Sequence, residues 1–218
     1  MLDLQHFLLK FVHFTESAAG LVAIIMFKKF KKSYWKWFIY YIVYIAISEL
    51  AVEFILRHHQ SIRTYYYDFF GIPLEFIFLF WLYSYKSLDR KKLFWICSGI
   101  YLLSLFPYFL FEGSNIVNSF NYITGTFLLS IMIILEFNKQ IKTDDILKFR
   151  ENMMFYINTG VCLLYVGTLP FFAFHSLIWK DKVIWNNYYI LFLIANILMY
   201  TLFSIALLWG KPNTYSSQ

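Results

Sequence analysis

The sequence predicts an all-α integral membrane protein with seven transmembrane helices, its N-terminus outside and its C-terminus inside (N-out/C-in). The first observation is composition, because 60% of the 218 residues are apolar and only 15% are charged. An average soluble domain has roughly 25% charged residues and needs them to cover its surface. The second observation is a series of long apolar runs, and the third is the uneven placement of basic residues between them.

Seven runs reach the length of about 20 mostly apolar residues that a bilayer-spanning helix needs. They are too long for strands and lack the alternation typical of a β-barrel, so helices are predicted. The connections are short and leave no room for a soluble domain, which predicts one seven-helix domain over residues 1–218. The predicted spans are 7–27, 35–56, 65–85, 93–111, 116–137, 153–175 and 186–209.

The basic residues predict the orientation. With the N-terminus outside, fourteen Lys and Arg residues fall in the inner loops and tail and five fall on the outer side. An excess of basic residues marks the cytoplasmic side. The first span has no basic cluster before it and is expected to be an uncleaved anchor. Lys outnumbers Arg by 15 to 4, which is typical of an AT-rich bacterial genome and favours a bacterial cytoplasmic (inner) membrane.

The net charge of +6 is explained by this topology, so no nucleic-acid partner is expected. Basic inner loops attract anionic lipid head groups. We expect them to contact either those head groups or a cytoplasmic protein partner. The oligomeric state stays open. The residues expected at this surface are Lys28, Lys29, Lys31, Lys32, Arg90, Lys91 and Lys92.

The candidate site consists of polar residues inside the predicted spans, where an ionisable group costs on the order of a few kcal/mol. The first span carries His13 and Glu16, and the second carries Glu49 and Glu53, which share a face because they are four residues apart. We expect one outward-facing pocket for a small ligand, a proton or a cation. The alternative is hydrogen bonding between helices without a ligand. The expected pocket residues are Glu75, Glu49, Glu53, Glu16, His13, His175 and Asn121.

The later spans give structural predictions. Cys97 and Cys162 are isolated and are expected to pack as small apolar side chains. Glu136 lies at the inner end of the fifth span, where reaching out to water would satisfy it. Asn158 and Gly160 in the sixth span indicate a tight contact with another helix.

Several kinds of chemistry lack support in the sequence. It contains no Gly-x-Ser-x-Gly elbow, phosphate loop or Cys-x-x-Cys motif. No metal site is predicted, because no two histidines share helical spacing within a span. Seven-helix zinc hydrolases of the ceramidase and adiponectin-receptor type carry a pair of His four residues apart on the last helix, where this chain has Asn186, Asn187 and Asn196. No Lys lies mid-span, so no retinal Schiff base is expected, and the cofactor is unknown.

Three segments resemble a group of small, uncharacterised seven-helix bacterial membrane proteins. They are Ile72-Pro73-Leu74-Glu75-Phe76, Phe155-Tyr156-Ile157-Asn158-Thr159-Gly160 and Ala195-Asn196-Ile197-Leu198-Met199-Tyr200. The resemblance covers most of the chain and implies a mid-membrane Glu in the third helix. It implies no particular activity.

Three hypotheses about function follow. The first is a receptor-like or accessory membrane protein that binds a ligand in the outward pocket and contacts a cytoplasmic signalling or defence partner. The second is a small ion- or proton-coupled transporter or channel that uses Glu75. The third is an intramembrane metal-dependent hydrolase. The missing catalytic motifs favour a protein that is not an enzyme.

Overall fold

The fold of the chain is known from a computed structural model that describes residues 2–55, 59–106, 120–143, 145–174, 178 and 180–211. Those residues form helices and short connections and contain no strand, so the predicted all-α class is confirmed. Seven continuous helices are present in this part of the chain, and each overlaps one predicted apolar run.

We number the helices α1 to α7 in chain order. A short 3₁₀ helix, Asp145–Lys148, lies between α5 and α6. The connection between the fourth and fifth predicted spans, residues 112–115, lies outside the described residues. The bounds are Leu2–Phe30 for α1, Trp35–Ile55 for α2, residues 60–87 for α3, Lys91–Leu103 for α4, Phe120–Lys142 for α5, Met153–Ala173 for α6 and Lys182–Trp209 for α7.

Five of these helices, α1, α2, α5, α6 and α7, are long and apolar enough to cross a membrane. Their outward faces are strongly apolar, as shown on α1 by Leu21 and Ile25, which are 63% and 70% exposed. Soluble monomers rarely expose extended apolar surface of this kind, whereas lipid-facing helices do so as a rule. The bundle therefore has the character of an integral membrane protein.

The ends of the helices show that the predicted inner connections meet at one end of the bundle. Helices α1 and α7 run parallel, because Gln5 donates a hydrogen bond to Asn186 near their starts (3.1 Å) while Lys29 Nζ donates to the Leu207 carbonyl near their ends (3.3 Å). Lys139 at the end of α5 donates to the carbonyl of Ser87 at the end of α3 (2.7 Å). We call the end that carries residues 28–36, 86–92, 139–152 and 211 the basic end.

Two helices depart from a regular α-helix. In α3, wider π-helical turns at Tyr67–Gly71 and Trp81–Ser87 flank the regular segment Ile72–Phe80. In α6, a π-helical turn occupies Cys162–Val166. Such turns insert a residue into the hydrogen-bond ladder and are frequent at functional sites. They rotate the side chains that follow, which the sequence pattern alone does not show.

Small residues set the closest helix contacts. A Cβ atom on Gly20 of α1 would lie 2.7 Å from the Cβ of Ala46 on α2, so this contact has no room for a larger residue at position 20. On α6, a Cβ on Gly160 would lie 3.2 Å from the Met199 backbone of α7, which confirms the predicted tight contact at this position. Small residues serve this purpose in membrane helices because they permit close backbone approach.

Candidate functional site

The first wall of the candidate site is one face of α1. His13, Glu16 and Ser17 lie together on it, because residues three and four apart in a helix are neighbours. Gly20 follows one turn later, at the close contact with Ala46 on α2. The close contact brings the polar face of α1 directly against α2.

The second wall is formed by α2, where Glu49 and Glu53 lie one turn apart. Between the two helices is a partly open cavity of about 180 Å³, large enough for a small ion with water. The structure thus brings together the predicted pocket residues of the first two spans. The cavity is lined by His13, Glu16, Ser17, Glu49, Leu50, Glu53 and Phe54.

Three side chains at this cavity are arranged as a set of metal ligands. The His13 Nδ1 atom lies 3.4 Å from Glu16 Oε2. The ligand atoms of His13, Glu16 and Glu49 all lie within 4.8 Å of one another. Histidine pairs within single spans do not reveal this set, because the set combines one His and two Glu from two different helices.

The charge of the cavity favours a cation. Glu16, Glu49 and Glu53 supply three carboxylates, and Glu75 acts electrostatically on Glu16 from the neighbouring core. Arg63 is a cation that acts on Glu49. Several carboxylates in a medium of low dielectric repel one another strongly, so they need protons or a bound cation to remain together.

The third helix fixes one wall of the cavity. The Tyr67 hydroxyl donates a hydrogen bond of 2.7 Å to Glu49 Oε2. Tyr67 is the first residue of the π-helical turn Tyr67–Gly71 in α3. A hydrogen bond to a carboxylate is among the stronger kinds, so it restricts the rotamer of Glu49.

Glu75 lies behind this cavity rather than in its lining. The Tyr41 hydroxyl of α2 donates a 3.0 Å hydrogen bond to Glu75 Oε1, and the Tyr165 hydroxyl of α6 faces the same carboxyl group. Glu75 also interacts electrostatically with Glu49. It is therefore linked to the cavity by charge and held in place by tyrosines from two other helices.

The other predicted pocket residues lie elsewhere or are not described. Asn121 is buried against Tyr101 and is absent from the cavity lining. His175 lies outside the described residues, so its place relative to the cavity stays a prediction. The structure groups His13, Glu16, Glu49 and Glu53 in one cavity, with Glu75 next to it.

The predicted basic contact surface is exposed at the basic end. Lys29 also donates to the carbonyl of Leu208 (3.1 Å), a favourable place for a cation at the C-terminus of α7. The exposed set is Lys28, Lys29, Lys31, Lys32, Arg90, Lys91 and Lys92.

The sequence analysis missed Asp68, a buried acid in the π-helical turn of α3. Its side chain is 2% exposed, and neither carboxylate oxygen has a hydrogen-bond partner among the described residues. Asp68 lies within the predicted third span, seven residues before Glu75. The reasoning that selected Glu75, an ionisable residue inside an apolar run, would have found it.

The expectation that Glu136 reaches out to water is wrong. Its side chain is 1% exposed and accepts hydrogen bonds from the Ser87 hydroxyl (2.7 Å) and from Gln140 Nε2 (3.0 Å). The Lys139 ammonium lies 3.9 Å from its carboxylate and 3.0 Å from the Ser87 hydroxyl. Because α3 supplies Ser87, the carboxylate of Glu136 is satisfied inside the bundle.

Comparisons with known proteins add no relative, since no protein-family model, curated protein or solved structure matches the chain.

Proposed function

We propose that the chain is a seven-span membrane protein, N-out and C-in, that binds a cation in the cavity between α1 and α2. The observation that carries the proposal is the set of three carboxylates and one imidazole around a partly open cavity. With the N-terminus outside, His13 and Glu16 lie towards the outer half of α1, and Glu49 and Glu53 towards the outer end of α2. The cavity then opens to the outside.

The role that we propose is that of a receptor-like or accessory protein of a bacterial cytoplasmic membrane. The basic end would face the cytoplasm and contact anionic lipid and a signalling or defence partner. Its exposed Lys and Arg side chains suit an acidic surface. The resemblance to uncharacterised seven-helix proteins agrees with this proposal in fold only.

A transporter or channel is the second candidate, and the position of Glu75 favours it. Glu75 lies inward of the cavity, interacts electrostatically with Glu49 and is held by Tyr41. A proton or cation could pass from the cavity to this carboxylate. Flux into proteoliposomes that stops on Glu75→Gln would support the transporter over the receptor.

Thermal unfolding in detergent tests the cation proposal. A ligand that binds only the folded protein raises the free energy of unfolding by about 2.7 kcal/mol at 100 times its Kd, and the unfolding temperature rises with it. We expect at least one ion among Na⁺, K⁺, Mg²⁺, Ca²⁺, Mn²⁺ and Zn²⁺ to raise the unfolding temperature of the wild type. We expect the same ion to have little effect on Glu49→Gln, which removes a cavity charge.

The matched control is Glu151→Gln, which removes an exposed carboxylate that pairs with Lys211 at the basic end. This variant should respond to the ion like the wild type. A wild type that responds to no ion, or a Glu49→Gln protein that responds in full, would contradict the proposal.

A further inference from the structure

We propose that the cation is a divalent transition-metal ion of the Zn²⁺ class, ligated by His13, Glu16 and Glu49. This inference rests on the proposed function and names the chemical class of the ion. Imidazole nitrogen and carboxylate oxygen are ordinary Zn²⁺ ligands, and they also suit Mn²⁺, Fe²⁺ and Co²⁺. An alkali or alkaline-earth ion favours oxygen ligands alone, so His13 is the residue that selects for a transition metal.

The geometry needs little adjustment to bind such an ion. Bond lengths near 2.0–2.2 Å place neighbouring ligand atoms of a tetrahedral site about 3.3–3.6 Å apart. The 3.4 Å separation of His13 Nδ1 and Glu16 Oε2 already has this value. All three ligand atoms lie within 4.8 Å of one another, so a small movement of the Glu49 carboxylate that keeps its hydrogen bond from Tyr67 would complete the set.

The arrangement on the helices is one that bundles use for metals. In carboxylate-bridged metal proteins of helical bundles, a Glu-x-x-His pair on one helix binds together with a Glu from another helix, and this chain has the pair in the reverse order, His13-x-x-Glu16. Here His13 and Glu16 are three apart on α1, and Glu49 faces them from α2. The Tyr67 hydroxyl bonds to Glu49, as an outer partner that orients a ligand.

The cavity leaves one side of the ion free. Three protein ligands leave a fourth position of a tetrahedral ion for water or a small anion. Ser17 and Glu53 also line this partly open cavity. The charge also fits, because a divalent ion neutralises Glu16 and Glu49 together.

Cobalt provides the test, because Co²⁺ occupies zinc sites and absorbs visible light according to its ligands. We expect the tag-free, detergent-solubilised chain to bind one Co²⁺, which Zn²⁺ displaces. Its X-ray absorption should show one imidazole with oxygen neighbours. Loss of an outer partner of a ligand costs about 10–100-fold in affinity, so His13→Gln and Glu16→Gln should each cost at least that much. Glu151→Gln should bind as the wild type does.

His13 is only partly buried, with 29% of its side chain exposed, so His13→Gln is expected to fold. The Co²⁺ spectra of the wild type provide a second test, which does not depend on whether the variants fold. Absence of Co²⁺ binding, a spectrum with thiolate ligands, or unchanged affinity in His13→Gln would overturn the inference. If Na⁺, K⁺, Mg²⁺ or Ca²⁺ raises the unfolding temperature of the wild type and not that of Glu49→Gln, the proposed cation cavity is supported. In that case only the assignment to a transition metal is wrong. If no ion raises the unfolding temperature in a way that depends on Glu49, both proposals fail.

Discussion

At the scale of single residues, the molecule places its acids in two environments. Glu16, Glu49 and Glu53 share a partly open cavity, where His13 lies beside Glu16 and the Tyr67 hydroxyl donates a hydrogen bond to Glu49. Glu136 has a neighbouring ammonium and two hydrogen bonds, and it is closed off from water. An acid of the first kind is suited to binding a ligand, whereas the second kind contributes to stability. Glu75 has features of both kinds, because it lies next to the cavity and also accepts a hydrogen bond from Tyr41.

The buried network of Glu136 predicts a loss of stability on truncation. Glu136→Ala leaves the Ser87 hydroxyl and Gln140 amide without their acceptor. Hydrogen bonds to charged groups contribute about 1.5–3 kcal/mol, so the free energy of unfolding should fall by at least that amount. Equilibrium unfolding in detergent with a chemical denaturant measures the change.

The comparison for this variant is Glu151→Ala, which removes a carboxylate 55% exposed at the surface. Exposed ion pairs contribute about 0–1 kcal/mol, so this variant should lie close to the wild type. Equal losses in the two variants would show that the network around Glu136 has no special role.

The sequence predicts the parts of the site whose residues are neighbours within one helix, and it does not predict contacts between helices. His13 with Glu16, and Glu49 with Glu53, are found from helical spacing within one span. Their meeting across α1 and α2 depends on the Gly20–Ala46 contact. The Ser87–Glu136 hydrogen bond joins residues 49 positions apart, and nothing local predicts it.

At the scale of the helices, the contact between α1 and α2 shapes the cavity. Gly20 lets α1 approach Ala46 one turn beyond the polar face of α1. The same approach sets the distance from His13 and Glu16 to Glu49. The width of the cavity is therefore set by the distance between α1 and α2.

Gly20→Val should separate α1 from α2. The added side chain has no space, because even a Cβ would lie 2.7 Å from the Cβ of Ala46. Overpacking costs about 1–3 kcal/mol, and the wider cavity should bind the cation less tightly. Thermal unfolding with and without the ion measures both effects.

Gly99→Val on α4 is the control, since nothing lies within 4 Å of a Cβ at Gly99. This variant should keep its response to the ion. A Gly20→Val protein whose unfolding and ion response match those of Gly99→Val would show that the close contact does not set the cavity.

The helices themselves were predictable in number and approximate position from apolar runs. The second predicted span, 35–56, matches Trp35–Ile55 closely. The fifth helix extends to Lys142, beyond its predicted end at 137, and within this extension Gln140 is buried and hydrogen-bonds to Glu136 inside the bundle. The π-helical turns were not predictable, since they arise from packing and have no sequence pattern of their own.

At the scale of the whole molecule, the bundle has two different ends. The basic end gathers the connections that carry most of the Lys and Arg residues, as the contacts Lys29–Leu207 and Lys139–Ser87 show. The cavity opens at α1 and α2, near residues 13–17 and 49–54. In the proposed orientation, with the basic end inside, the cavity would lie in the outer half of the membrane.

The orientation and the cavity together are tested by one labelling experiment. Ser17 lines the cavity and is partly exposed, and Lys32 is exposed at the basic end. In a chain whose free cysteines Cys97 and Cys162 are replaced by Ala, Ser17→Cys and Lys32→Cys are each treated with a membrane-impermeant maleimide, first in intact cells and then in opened cells.

Ser17→Cys should be labelled in intact cells, and the stabilising cation should slow this labelling. Lys32→Cys should be labelled only after the membrane is opened. Labelling of Ser17→Cys only in opened cells, or at a rate that no cation changes, would contradict the claim that the chain binds a cation in an outward-facing cavity.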